Sequence, residues 1–471
     1  MKALQKLTTV FLAVAIMLGG IILINHSTPT VAHADGEGIL TVHFIDCGQA
    51  DACVIQFPDD KTMLIDAGHT SSASYANVVD YIEDLNITKF DYFIMTHADA
   101  DHIGGVTKVF DGSVTADVVW RPSQIASDEG YTDPAIAKTG KYGLPYDESE
   151  ATSKDHKQKS ATYKEALECV YEMTDEVYVI DPSNDETNHI ENSVTVSGET
   201  FTYTFDMYSP LEPPYKNNND YSPIMVLSYA GRNIVLAGDA EEENEAEFVD
   251  KVKNTNDDDR YDRFREGFHA DVLKMSHHGS ETSSSEEYLE IMCSDVEARA
   301  NTYTIFSCGE GNSHAHPQFG VLDRTRAMGF SPERIERTDL NGNIKFDIQS
   351  GGEMTRTHDR DAEISDLLTT GSSSSREEQT IEDNGVRPTE PNGSPVTRDP
   401  SSGGNNEGNN NGNSDEGFSI DALIAMFLEL ELIYKILIIG GVALVIIILI
   451  AILVVVAKKK SKKRRKKSKR R

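Results

Sequence analysis

The chain of 471 residues is short of basic side chains through almost its whole length. It has 44 Lys and Arg against 77 Asp and Glu, and 12 of those basic residues sit within 458–471. The rest of the chain therefore carries 32 basic and 77 acidic residues, a formal charge of −45. Tight duplex-DNA binding needs cations that replace the counterions of phosphates, so a histone-like or repressor-like body is excluded. Cysteine is scarce too. Cys47, Cys53, Cys169, Cys293 and Cys308 form no Cys-x-x-Cys pair, which removes zinc knuckles and dithiol redox motifs. Two disulfides could form outside a cell, but buried thiols are the simpler expectation. No Gly-x-Ser-x-Gly elbow surrounds the hydroxyl-rich run 282–285, so it reads as a polar loop rather than a serine nucleophile. No repeat of solenoid length occurs.

The two ends carry what the body lacks. Lys2 and Lys6 precede an apolar run at 10–24 and then Ala32-His33-Ala34, the order of a secretory signal spanning 1–34. An uncleaved anchor is the alternative. Residues 436–457 are 22 positions without charge, enough at about 1.5 Å per residue to cross a hydrocarbon core of about 30 Å. The basic block 458–471 follows at once and predicts a cytoplasmic tail contacting anionic lipid, which leaves the acidic body outside the cell membrane. Residues 371–417, rich in Ser, Gly, Asn and acid, read as a disordered linker. Residues 418–432 could lie as an interfacial helix.

That leaves about 38–350 as the folded body. Short β-rich runs are predicted at 39–45, 52–57, 62–65 and 90–95, with a helix at 75–85. A second group follows at 201–207, 224–229, 233–236, 272–275 and 303–306. Two groups of strands with helices between them predict two mostly antiparallel sheets packed together with helices outside. Residues 111–200 are polar, acidic and weakly periodic, and read as an insertion or lid.

The most informative stretch follows the run at 90–95: Thr96-His97-Ala98-Asp99-Ala100-Asp101-His102-Ile103-Gly104-Gly105. Two imidazoles and two carboxylates within six positions, on a loop at a strand end, can converge only around positive charge. One or two divalent ions meet that condition.

With this loop the sequence resembles the metallo-β-lactamase fold hydrolases, whose metal loop reads His-x-(His/Asp)-x-Asp-His. It looks most like the soluble hydrolase domain of competence (DNA-uptake) channel proteins of the ComEC type. Further matches are Phe44-Ile45-Asp46-Cys47-Gly48-Gln49-Ala50-Asp51-Ala52, Leu64-Ile65-Asp66-Ala67-Gly68 and Leu236-Ala237-Gly238-Asp239. Asp271-Val272-Leu273-Lys274 with His277-His278-Gly279-Ser280, and Asn312 through His316-Pro317, complete them. The resemblance covers about 40–350 and implies an α/β fold, the αββα sandwich, followed by the linker and one C-terminal transmembrane helix. It implies that His97 and Asp99 hold a first metal, Asp101 and His102 a second, and that Asp239 bridges them. His277 is the implied last ligand, with His278 able to serve instead. Asp66 would orient the metal loop. Lys274, Ser280 and His316 would meet substrate phosphate or the leaving group, and Asp101, Asp239 and Lys274 are the candidate catalytic residues. A separate His that the family usually places before the bridging Asp has only His156 and His189 as candidates here. Two divalent ions are implied, Zn²⁺ or Mn²⁺, with Mg²⁺ also compatible.

The expected function is a membrane-anchored extracellular metal-dependent phosphodiesterase acting on single-stranded nucleic acid or an envelope polymer such as teichoic acid. An acyl hydrolase for thioesters or β-lactams is the second reading, and a non-catalytic metal-containing surface binding module the third.

Overall fold

Alternation within short strands fixes the layers, because successive side chains of a strand point to opposite faces. The computed structural model describes residues 38–127, 130–147, 157–254 and 258–371. The signal at 1–34, the linker at 372–417, the interfacial segment at 418–432, the span at 436–457 and the basic tail at 458–471 lie outside the described residues. Among those described, no helix is long and apolar enough to cross a membrane.

In chain order the strands are β1 (Leu40–Phe44), β2 (Cys53–Gln56), β3 (Thr62–Ile65), β4 (Lys89–Ile94), β5 (Thr115–Arg121), β6 (Ile125–Ala126), β7 (Lys157–Gln158) and β8 (Val177–Val179). They continue as β9 (His189–Val196), β10 (Glu199–Met207), β11 (Met225–Tyr229), β12 (Arg232–Leu236), β13 (Val272–Lys274), β14 (Tyr303–Phe306), β15 (Ile335–Arg337), β16 (Ile344–Ile348) and β17 (Met354–His358). One sheet runs β17-β16-β1-β2-β3-β4-β5-β8 and the other β15-β14-β13-β12-β11-β10-β9, while β6 and β7 pair separately.

On β3, Met63 and Ile65 face a core shared with Leu227, Ile234 and Val272 of the second sheet, and Leu64 faces a different core. That second core holds Val78 and Ile82 of the helix Ser72–Asp84 and Leu167 and Val170 of the helix Ala161–Met173. A third core packs Phe248, Tyr288 and Val321, from helices, on the outer face of the second sheet. The result is four layers, helices, sheet, sheet, helices, with both faces of each central strand dry.

The expectation of mostly antiparallel sheets is corrected. In the first sheet β3, β4, β5 and β8 run parallel, and in the second β12, β13, β14 and β15 do. Helical crossovers join most of these strands, and parallel neighbours require such connections. Their carboxyl ends in each sheet therefore share one edge, where loops are free to carry chemistry.

The region 111–200 is corrected as well, from insertion to frame. It supplies β5, β8, β9 and the helix Ala161–Met173, which buries Tyr163, Ala166, Leu167 and Val170. That stripe has helical spacing but lies among charged residues, which mask it. All five cysteines are free thiols, four of them buried.

Two glycines dock the metal loop onto the loop after β3. Gly105 N–H donates to Gly68 O at 3.0 Å, and Ala67 N–H donates to His102 O at 2.7 Å. A Cβ on Gly105 would lie 2.0 Å from Ala67 O, and one on Gly104 would lie 2.3 Å from Thr70 N. Both neighbours are backbone and cannot step aside. Gly105→Ala is expected to cost about 1–3 kcal/mol, as overpacking does in close-packed interiors. A urea midpoint lowered at constant slope would register it, and an unchanged midpoint would contradict the docking.

Candidate metal centre

The site forms where loops from both sheets meet: 45–52 after β1, 66–70 after β3, 96–105 after β4, 237–241 after β12, 275–280 after β13 and 307–316 after β14. Asp66 organises it. Its carboxylate is buried and accepts three hydrogen bonds, from Thr96 N–H at 2.9 Å, Thr96 Oγ1 at 2.8 Å and His102 Nδ1 at 2.7 Å. Three imidazole tautomers follow from this network. His102 spends its Nδ1 proton on Asp66, so Nε2 keeps its lone pair. Thr96 spends its hydroxyl proton on Asp66, so its oxygen, 3.0 Å from His97 Nδ1, accepts the His97 proton. His278 Nδ1 lies 2.8 Å from Ser307 O, and a carbonyl can only accept.

The three Nε2 atoms face carboxylates. Asp239 Oδ2 lies 3.2 Å from His102 Nε2 and 3.4 Å from His278 Nε2, and Asp101 Oδ2 lies 3.3 Å from His278 Nε2. His97, His102 and Asp239 form one group with metal-ligating reach, and Asp101, His102 and His278 another. His97 Nε2, His102 Nε2 and Asp239 Oδ1 are buried without hydrogen-bond partners in the protein. Lone pairs opposed to anions in a dry site demand a cation, so the donors present fit divalent metal. The same pressure acts on protons. Burial opposes charging of His278, yet Asp239 and Asp51 outweigh it and push its pKa up to about 10. Burial opposes ionisation of Asp101, but His278 and His102 hold it below the usual carboxylate range.

Asp99 sits farther out than its motif neighbours, with Oδ2 3.9 Å from His97 Nε2 and its side chain 37% exposed. It belongs to neither grouping. The expectation for His277 is corrected: His278 joins the cluster, and His277 turns to Glu241 Oε1 at 2.9 Å, with Nε2 3.9 Å from Asp239 Oδ2. Strand alternation does not extend there, because β13 ends at Lys274 and both histidines have positive φ, 50° and 56°. His189 bonds Asp206 at 2.5 Å on the sheet edge and joins no cluster, and His156 lies outside the described residues.

Two expected substrate contacts are also corrected. Lys274 is buried, with Nζ 2.5 Å from Asp51 Oδ2 and donating to Gly238 O at 3.1 Å. Burial disfavours its ammonium, but Asp51 and Asp239 more than offset that and hold its pKa above the usual value. Ser280 is buried and bonds Thr282 Oγ1 at 2.9 Å, so it closes a turn. His316 fits better. Gln49 Oε1 accepts Gly309 N–H, so Gln49 Nε2 donates to His316 Nδ1 at 3.1 Å and the His316 proton sits on Nε2. Burial, then His278 and His277, push its pKa down to about 3.

An open cleft of about 780 Å³ exposes this centre, with Gln49, Asp101, Asp239, His277, Asn312 and His314 among its walls. The sequence alone assigns no role to Asp51, to Glu241, to Ser222, whose Oγ lies 3.2 Å from His97 Nδ1, or to Asn218, whose amide donates to Asp99. Asp51 stands inside one of the family motifs; the others sit in loops with no spacing signal.

The Lys274–Asp51 pair yields a stability test. Lys274→Met leaves Asp51 buried without its partner and is expected to cost about 3–5 kcal/mol. Lys274→Met with Asp51→Asn is expected to recover part of that in urea unfolding. Wild-type stability of the single variant would contradict a buried pair.

Residues 45–123 match the model of the metallo-beta-lactamase superfamily. ComE operon protein 3 of Bacillus subtilis (strain 168) is 26% identical over 323 residues, covering 65% of this chain and 32% of that protein. Competence protein ComA of Neisseria gonorrhoeae is 28% identical over 148 residues, 31% of this chain and 18% of that protein. A solved diphosphatase of the PhnP family aligns at 11% identity over 66% of this chain and 99% of that one, with a TM-score of 0.29. The chain spans about a third or less of the length of the curated relatives it matches. With its buried histidine–aspartate cluster, the described domain is a metallo-β-lactamase-superfamily hydrolase homologous to these competence proteins.

Proposed function

We propose that the chain is a phosphodiesterase using two divalent ions, Zn²⁺ or Mn²⁺, anchored in the cell membrane with its catalytic domain outside. The convergence of three imidazole Nε2 atoms with Asp101 and Asp239 at an open polar cleft carries this reading. Asp101, His102, His278 and Asp239 would hold one ion, and His97, Asp99 and Asp239 the other. When bound, such ions supply Lewis acidity toward a phosphoryl or acyl oxygen and lower the pKa of water.

The chain's own groups do the rest. Asp66, Thr96 and Ser307 fix the imidazoles, so little reorganisation accompanies reaction. Asp101 lines the cleft as an ionised carboxylate able to accept a hydrogen bond from an attacking water and so orient it. His316, neutral with its proton on Nε2, is a donor for a leaving oxygen. The polar walls suit a phosphodiester better than an apolar acyl chain, which favours the first reading over a thioester or β-lactam hydrolase.

Charge limits the substrate. Lys274 is spent on Asp51, and Arg360, which lines the cleft, bonds Asp46 at 3.1 Å. With −45 spread over residues 1–457, the chain repels polyanions over a Debye length of about 10 Å at 0.1 M salt. Short phosphodiesters, or single strands held weakly, are therefore the fitting substrates. The apolar run 436–457 and its basic neighbour support the anchor and its lipid contacts.

The purified full-length chain is expected to bind about two ions and to hydrolyse bis-p-nitrophenyl phosphate and single-stranded DNA but not nitrocefin. Asp239→Ala should lose metal and activity together. Affinity for single strands should rise, not collapse, as moderate salt screens the repulsion. Nitrocefin cleavage without phosphodiesterase activity would replace this reading with the acyl hydrolase, and metal binding without turnover on any of them with the binding module. On intact cells, added protease should release a fragment ending within 371–417. A protected body with a digested tail would reverse the topology.

A further inference from the structure

The two candidate metal positions are unequal. One has Asp101, His102, His278 and Asp239 drawn within a few ångströms of one another. The other has His97 and Asp239, while Asp99 stays 3.9 Å from His97 on a partly exposed loop; His102 is within reach of this position too, but with Nδ1 held by Asp66 it has a single Nε2 to give and cannot serve both. An exposed carboxylate is a poor ligand unless something pre-orders it, since binding must then arrest its rotamers.

Asn218 supplies that order. Its Nδ2 donates to Asp99 Oδ1 at 2.6 Å, a short bond to a charged acceptor. The amide has one orientation, because its Oδ1 accepts Gln124 Nε2, also at 2.6 Å. Gln124 is buried, and its backbone carbonyl accepts from Tyr163 Oη at 2.9 Å and from Arg121. Arg121 is fully buried and pairs with Asp133 at 2.6 Å. Asp99 thus has one oxygen tied to a relay rooted in the core, and its other oxygen is the nearer to His97 Nε2, which has no hydrogen-bond partner in the protein.

We propose that Asn218 is a positioning residue that sets the affinity of the weaker metal position by holding Asp99, and that Gln124 makes this hold depend on the packing of the segment after β5. The proposal rests on the two-ion reading above. It predicts two binding steps of different strength, only the weaker of which passes through Asn218.

Calorimetric titration of the metal-free full-length chain with Zn²⁺ and with Mn²⁺ tests it. Asn218→Asp keeps the shape but sets two carboxylates 2.6 Å apart where a donor stood. It should weaken the second equivalent at least tenfold and leave the first within twofold. Gln124→Ala should act in the same direction with a smaller effect. Asn218→Ala should have no further effect on the second step when combined with Asp99→Ala, because both act through one carboxylate. A merely structural role would instead add to the Asp99→Ala effect or weaken both steps together, and either result overturns the proposal. So do two steps unchanged in Asn218→Asp. A wild-type chain that takes one ion or none overturns the two-ion reading and this proposal with it.

Discussion

One buried carboxylate sets the geometry on which the centre depends. Asp66 accepts from a backbone amide, a hydroxyl and an imidazole at once, and each bond consumes a proton that would otherwise sit on or near the site. Through Thr96 the effect reaches His97, so two of the three imidazoles owe their tautomers to a residue that need not touch metal. Asp66 reaches this position with a φ of 59°, held by Asp66 N–H donating to Ile94 O at 2.9 Å. The carboxylate and the loop it organises are thus stitched together at the ends of two neighbouring parallel strands.

The same requirement explains why both sheets are half parallel. Each ligand-bearing loop leaves the carboxyl end of a strand, and antiparallel order would send alternate loops to the far edge. β4 delivers His97 to His102, β12 delivers Asp239 and β13 delivers His278, while β14 delivers the Ser307 carbonyl that fixes His278. The inter-sheet core of Phe44, Met63, Leu227, Val272 and Ile305 holds the two contributing sheets in register. Acidic residues dominate the chain around this frame, and inside the site Lys274 offsets Asp51 while Asp101 and Asp239 face imidazole nitrogens.

Legibility from sequence follows the range of the physical signal. β3 at 62–65 and β14 at 303–306 are legible to the residue, because apolar runs bounded by turn residues are local. The loop 96–105 is legible because four ligand-type side chains crowded into six positions need a cation among them to converge. The choice between His277 and His278 is not, since it depends on two consecutive left-handed residues after a strand end. Lys274 reads as a substrate contact because a lysine beside a site looks free until its buried partner Asp51, 223 positions earlier, is seen. Asn218 gives no signal, because its meaning comes from Asp99 and Gln124, both about a hundred residues away. The parallel order is hidden as well: strand patterning reports burial, whereas direction is set by connections.

The central claim is that tautomer-fixed imidazoles and carboxylates, and no thiolate, create the metal centre. X-ray absorption on the Zn²⁺-loaded full-length chain measures this directly. A nitrogen and oxygen shell at about 2.0–2.1 Å with imidazole multiple scattering is the predicted result, and a sulfur shell at about 2.3 Å or the absence of imidazole scattering would contradict it.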